Sequence, residues 1–166
     1  MGLIVLSPIF VAYMAKFLSN QNAKGIVLKY YFGNMHVKCL ENMSKKFIKS
    51  PNLPKLRAKA LEAILWHQKK AHDIIILSAS LEIYLIPWSK MLGIDKVAGT
   101  KLRLRNNIIT GHIDGRNCYG EEKVVRLKNL YGNLNEYELY GYGDTVGDRA
   151  FLNICDHSFY KKWPDR

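Results

Sequence analysis

The order of apolar and polar positions divides the chain into a helical first part and a second part in which strands and helices alternate. Ser7-Pro8 predicts the start of one helix, and Ser19 predicts the cap of a second helix that stops at Gly33. A third, basic helix is predicted within HVKCLENMSKKFIKS and ends by Pro51. A fourth is predicted by the helical spacing of apolar residues in KLRAKALEAILWHQKKAH.

Beyond residue 72, short apolar runs alternate with helical segments. A buried parallel strand is predicted by the continuous run DIIILS, and a second one by YELYGYG. A β-hairpin with a two-residue turn is predicted by TKLRLRNNIITGHI, which alternates on both sides of Asn106-Asn107. Helices are predicted in LEIYLIPWSKMLG, in GEEKVVRLKNLYG and from about Gly147, and DHSFYKK is left unassigned. This alternation predicts an α/β fold with a parallel sheet, and we place the boundary between a helical part, 1–55, and an α/β core, 56–166.

The positive charge is concentrated in the first part. Up to His72, twelve Lys and Arg residues stand against two acidic residues, and after it thirteen stand against twelve, so nearly all of the net charge of +11 lies early. This distribution favours an anionic partner there: a phosphorylated substrate, an anionic membrane surface or nucleic acid. A solubilising surface is the other interpretation.

The three cysteines and the uncharged residues 1–15 bear on the cellular compartment of the protein. Cys39, Cys118 and Cys155 are odd in number and form no Cys-x-x-Cys pair, which predicts reduced thiols in a cytoplasmic protein. Residues 1–15 carry no charged side chain, but they are too few to span a bilayer and lack the basic start of a signal peptide. We predict a buried or interfacial helix there, and association with a membrane surface stays open.

Four polar side chains fall at or near places where ligands bind in a parallel sheet, outside the carboxyl ends of the strands. Ser78 closes DIIILS, Asp144 closes YELYGYG, Asp148 lies one turn later, and Lys123 lies on a helix. Carboxylates are hard ligands for Mg²⁺, and lysine and serine hold phosphate oxygens. Singly, each has an ordinary alternative: a helix cap for Ser78, a surface position for Lys123, a turn for Asp144 and a helix-dipole contact for Asp148.

Together these segments resemble three motifs of the haloacid dehalogenase (HAD) superfamily, subfamily IB, the phosphoserine phosphatase-like hydrolases. The segments are DIIILSASLEIYLIPWSK, NCYGEEKVVRL and YGYGDTVGDRAFL. The resemblance implies phosphate binding by Ser78 and Lys123 and a Mg²⁺ site at Asp144, which Asp148 supports directly or through water. It also implies a HAD-like Rossmannoid parallel sheet flanked by helices, with the N-terminal helical part as the cap.

The first motif of this family, Asp-x-Asp-x-Thr, has no counterpart in the printed sequence, because no aspartate precedes Asp73. In the family its first aspartate is the nucleophile and its second the general acid and base. We therefore expect the first core strand to be missing and the chain as printed to have no turnover of its own. Either Met1 is an internal methionine of a longer product or the chain is a natural remnant. GLIVLS is a candidate filler strand, although a helix is favoured there.

The resemblance implies Mg²⁺-dependent hydrolysis of a phosphomonoester through an aspartyl-phosphate. Its substrate would be a small phosphorylated metabolite such as phosphoserine or a phospholipid headgroup, as in the similar phosphatidylglycerophosphate phosphatases. Nucleic acid becomes the least favoured partner. The alternative is a non-catalytic HAD-like remnant whose basic helices bind a membrane surface or another anionic partner.

Overall fold

The computed structural model describes residues 14, 15, 17–51, 53 and 56–164. The helix predicted after Pro8 and the candidate filler strand GLIVLS lie outside these residues. Within the described residues, no helix combines the length and the apolar character needed to cross a membrane.

Among the described residues, three helices lie before residue 72, as the sequence predicts. They are α1 (Asn20–Phe32), α2 (Val37–Ile48) and α3 (Ala58–Lys69). The hydroxyl of Ser19 accepts the amide hydrogen of Asn22 at 3.1 Å, so α1 begins at the predicted cap. Its other end is also confirmed, because the amide of Gly33 donates to the carbonyl of Lys29 at 3.0 Å.

The first sheet has three strands in the order β1 (Ile75–Leu81), β2 (Lys96–Arg105) and β3 (Ile108–Asp114). β1 and β2 run parallel, and β2 and β3 form the predicted antiparallel hairpin. Asn106 and Asn107 have φ angles of 49° and 63°, the left-handed conformation that a tight hairpin turn requires.

A second, two-stranded parallel sheet pairs β4 (Tyr140–Gly143) with β5 (His157–Tyr160). The described strands therefore form two sheets, and β5 occupies a segment that the sequence left unassigned. The remaining helices are α4 (Glu82–Lys90), α5 (Glu121–Tyr131) and α6 (Arg149–Leu152). The helix predicted from about Gly147 is a 3₁₀ turn over Val146–Asp148 followed by the four residues of α6. The α/β class is confirmed, whereas the missing first strand stays a prediction.

β1 is longer than DIIILS indicated. The prediction that Ser78 closes this strand was wrong, because β1 continues to Leu81. Its regular pairing with β2 nevertheless breaks after Leu77, and the register shifts before Leu81. The amide of Ser80 donates to the Ser78 hydroxyl at 3.1 Å within this irregular stretch. A side chain bonding to nearby backbone in place of the ladder is a common feature of such irregularities.

Two apolar clusters position the elements. One joins α1 to the three-stranded sheet through Leu28, Leu81 and Ile113. The other joins α5 and α6 through Val124, Phe151 and Leu152, with Leu77 of β1 and Tyr160 of β5 packed against it. The second cluster therefore connects residues of both sheets.

α1 packs so closely on β3 that one position excludes a side chain. Gly111 has a φ of +80°, and a Cβ there would lie 2.5 Å from the Cα of Lys29.

We expect Gly111→Ala to lower the free energy of unfolding by about 2 kcal/mol more than Gly132→Ala, because forcing atoms into a packed interface costs about 1–3 kcal/mol. Gly132 is the matched control: its φ is +71° and nothing lies within 4 Å of the added Cβ. Urea unfolding measures both, and equal losses would contradict the close approach.

Candidate functional site

Lys123 points into the protein. It lies in the first turn of α5, and only 5% of its surface is exposed. Its Nζ donates to the carbonyl of Leu77 at 3.0 Å and forms an ion pair with the carboxylate of Asp148. Leu77 is the last residue of β1 before its pairing becomes irregular, and Asp148 follows β4. A single ammonium group therefore connects β1, at the point where its regular pairing breaks, with the loop after β4.

Asp148 organises the loop that follows β4. Its Oδ1 accepts from Lys123, while its Oδ2 accepts from the amide of Asp144 at 3.1 Å and from the amide and hydroxyl of Thr145 at 2.9 and 2.7 Å. The backbone passes close to it at Gly143, where a Cβ would lie 2.5 Å from the Cβ of Asp148. Only glycine therefore fits directly before Asp144 without a shift of the loop.

Burial and hydrogen bonding act on Asp148 in opposite directions. Burial by itself would raise the pKa of this carboxyl, but the hydrogen bonds from Lys123 and Thr145 outweigh it and hold the pKa below its ordinary value. The ion pair is therefore formed at neutral pH. Because the pKa is lowered in the folded state, the resulting stability is present above the ordinary carboxyl pKa and is lost as the pH falls through the lowered one.

Asp144 has a different environment. Its side chain is 51% exposed, and its Oδ2 lies 3.3 Å from the guanidinium of Arg57, which is itself 64% exposed. Arg57 immediately precedes α3, so this contact joins the end of the helical part to the loop after β4. An exposed pair of this kind contributes little to stability and is easily exchanged for another cation.

Ser78 lies beside the Lys123–Asp148 ion pair, but its hydroxyl bonds to the backbone of its own strand. Its hydroxyl accepts from the Ser80 amide, and it does not cap α4, whose N-cap is Leu81 and receives no side-chain bond. The structure therefore brings Lys123 and Asp148 into direct contact and holds Asp144 beside them through its backbone. Ser78 stands next to Leu77, whose carbonyl Lys123 binds.

A divalent cation fits these residues only in part. Asp144 has a half-exposed carboxylate that can offer oxygens once it leaves Arg57, and Mg²⁺ often uses one or two protein carboxylates with several waters. Both oxygens of Asp148 already accept hydrogen bonds, so Asp148 supports Asp144 through the loop. Among the residues that the structure describes, no three His, Cys, Asp or Glu side chains gather around one point.

Three members of the network were not singled out from the sequence. They are the carbonyl of Leu77, the amide and hydroxyl of Thr145, and Arg57. The spacing Thr-x-x-Asp in GDTVGD is close to that of a capping box and could have identified Thr145. A backbone carbonyl and an exposed arginine from a distant segment leave no comparable pattern.

The chain was also compared with known protein families. A family model described as haloacid dehalogenase-like hydrolase matches residues 3–153. The chain belongs to the haloacid dehalogenase-like hydrolase family. Phosphoserine phosphatases are among its relatives and its structural neighbours.

Several known proteins are similar to most of this chain. Protein CicA of Caulobacter vibrioides is 30% identical over 162 residues, which are 96% of this chain and 72% of CicA. The phosphoserine phosphatase of Campylobacter jejuni subsp. doylei is 30% identical over 120 residues, 70% of this chain and 58% of the relative. A crystal structure of a probable phosphoserine phosphatase from Vibrio cholerae shares the fold, with a TM-score of 0.70 at 12% identity over 93% of this chain and 46% of that one.

The two aspartates should respond differently to substitution. We expect Asp148→Asn to lower the free energy of unfolding by about 3–5 kcal/mol, because it leaves the buried ammonium of Lys123 without its counter-charge. Asp144→Asn removes the same charge from an exposed pair and should cost no more than about 1 kcal/mol. Urea unfolding at neutral pH compares them. Equal effects would mean that Lys123 and Asp148 are not held together in a buried pair.

Proposed function

We propose that this chain is the phosphate- and metal-binding part of a Mg²⁺-dependent phosphomonoester hydrolase of the HAD family. The observation that carries the proposal is the contact of Lys123 with both Leu77 and Asp148. It supports a single site, because it draws the segment that bears Ser78 and the loop that bears Asp144 to one place. Membership of the HAD family supports the reaction class.

Each side chain has a separate part in this proposal. Ser78 would donate its hydroxyl hydrogen to a phosphate oxygen, and Lys123 would supply positive charge from a position held by Asp148. Asp144 would hold Mg²⁺, which neutralises charge on the phosphate when bound. The attacking carboxylate belongs to the family motif that the printed sequence lacks, so these residues bind and orient the phosphate and do not attack it.

The substrate class follows from charge and from relatives. A phosphomonoester dianion suits a site with one inward ammonium and one cation held by Asp144. Phosphoserine is the substrate named in the Campylobacter jejuni relative, and it remains a candidate here alongside a phospholipid headgroup. The lysine-rich helical part suits either anion.

Mg²⁺ should stabilise the protein through Asp144. We expect 10 mM Mg²⁺ to raise the thermal unfolding midpoint by a few degrees, equivalent to about 1 kcal/mol by mass action, and inorganic phosphate added with Mg²⁺ to raise it further. Asp144→Ala should lose the Mg²⁺ response, and Ser78→Ala should lose only the phosphate increment. Differential scanning fluorimetry measures the midpoints, with NaCl at matched ionic strength as the control.

A variant of Arg57 tests the metal site further, because the Arg57 guanidinium forms an ion pair with the Asp144 carboxylate. Arg57→Gln leaves both aspartates intact and removes the competing cation, so its Mg²⁺ response should exceed that of the parent chain. If the parent, Asp144→Ala and Arg57→Gln respond equally, Asp144 holds no metal. The loop after β4 is then an ordinary turn and helix start.

A further inference from the structure

The first two turns of α1 form hydrogen bonds to a buried asparagine, Asn117. Asn117 lies in the loop between β3 and α5 and is 5% exposed. Its backbone amide donates to Oε1 of Gln21 at 3.3 Å, its side-chain amide donates to Oδ1 of Asn20, and its Oδ1 accepts from Nζ of Lys24 at 2.8 Å. The first two turns of one helix thus satisfy three polar groups of a single residue, which is a specific contact.

Lys24 continues past Asn117 into the sheet. Its Nζ also donates to the carbonyl of Ala79 and to Oγ1 of Thr100 at 3.1 Å. Thr100 is fully buried, and its hydroxyl lies 2.7 Å from both the Ala79 carbonyl and Oδ1 of Asn117. One hydroxyl hydrogen can serve only one of these two oxygens, so Lys24 supplies the hydrogen that the other needs.

No described carboxylate neutralises this ammonium group. The titratable side chain that acts on it is the Cys118 thiol, while burial lowers the pKa of Lys24 to about 8. His112 and Glu121 on neighbouring elements are exposed. The other carboxylates of those elements are engaged elsewhere: Glu82 with the Gly99 amide and Lys101, Asp114 with Arg103, and Glu122 with Arg126.

The contacts of Lys24 fall next to both proposed phosphate ligands. Ala79 follows Ser78, and Asn117 and Cys118 lead into the helix that bears Lys123. We infer that Lys24 is a positioning residue, which holds the segment after Ser78 and the loop before Lys123 in one arrangement beneath α1. The inference rests on the proposed function for its purpose, but the arrangement itself can be tested without phosphate.

Cys118 reports on this arrangement. Its side chain is fully buried, its amide donates to Oγ1 of Thr100 at 3.2 Å, and Cys39 in the same chain is exposed. The ratio of iodoacetamide labelling at Cys118 to that at Cys39, read from peptides by mass spectrometry, therefore measures opening of the loop. At pH 7 we expect Lys24→Met to raise this ratio about tenfold, since a buried carbonyl then lacks its donor.

Two variants control for the charge and for the helix. Lys29→Met makes the same substitution at an exposed position of α1 and should leave the ratio unchanged. Lys24→Arg keeps the charge and several donors and should restore most of the protection. If Lys24→Met labels Cys118 no faster than the parent chain does, the inference is wrong.

The pH profile separates a buried ammonium from simple packing. Opening exposes Lys24 to water, where its pKa returns to its ordinary value, so the open state binds a proton that the closed state has released above pH 8. Raising the pH from 8 to 10 should therefore lower the labelling ratio of the parent chain about tenfold or more relative to that of Lys24→Arg, whose side chain remains charged. Burial raises the pKa of the Cys118 thiol, so its ionisation favours opening in both proteins as the pH rises, and the comparison with Lys24→Arg cancels this effect.

A parent profile that runs parallel to that of Lys24→Arg overturns the inference, and this comparison decides it even where circular dichroism shows Lys24→Met to be unfolded. Binding of inorganic phosphate, followed by the ³¹P line width with Mg²⁺ present, is measured on the same proteins, and weaker binding by Lys24→Met than by Lys29→Met supports the inference. If no variant or parent binds phosphate, the proposed function fails, and the labelling still decides whether Lys24 holds the loop.

Discussion

The buried ion pair between Lys123 and Asp148 is the interaction on which the candidate site depends. It joins α5 to the loop after β4, and both side chains are almost completely shielded from water, at 7% and 9% exposure. Taking two charges out of water is expensive, and their mutual attraction offsets this only when further hydrogen bonds satisfy them. Leu77 supplies such a bond to the lysine, and Asp144 and Thr145 supply them to the aspartate.

The same constraint explains the division of work between the two aspartates. Both oxygens of Asp148 already accept hydrogen bonds, so its carboxylate fixes the loop. Asp144 keeps its backbone in that loop while its carboxylate faces solvent and Arg57. A rigid support beneath a displaceable surface contact is what a cation site needs if the cation is to exchange with solvent. Lys24 reaches the segment after Ser78 from α1, through the carbonyl of Ala79.

Much of this arrangement could be predicted from local patterns. Ser19 and Gly33 mark the ends of α1, and Asn106 and Asn107 mark the hairpin turn, because caps and tight turns depend on neighbouring residues only. The three motifs identified the family that the comparison confirmed. Ser78 was placed at the wrong point of its strand, since the continuation of β1 to Leu81 depends on pairing with β2 and not on the apolar run itself.

Other features depend on contacts between distant segments, and the sequence does not display them. Lys24 is one of many lysines on basic helices, and its reach to Asn117 and Thr100 follows only from the packing of α1 on the sheet. The direction of Lys123 could not be read from its helix for the same reason. β5 was left unassigned because the four residues His157–Tyr160 become a strand by pairing with β4.

A double-mutant cycle on Lys123 and Asp148 tests the central claim most directly. Lys123→Met, Asp148→Asn and the double variant are compared with the parent chain by urea unfolding at neutral pH. If the two groups form one buried pair, the double variant should lose less stability than the two single losses added together, by about 2 kcal/mol or more. Losses that add within about 0.5 kcal/mol would contradict the account, because they would show that Lys123 and Asp148 act independently.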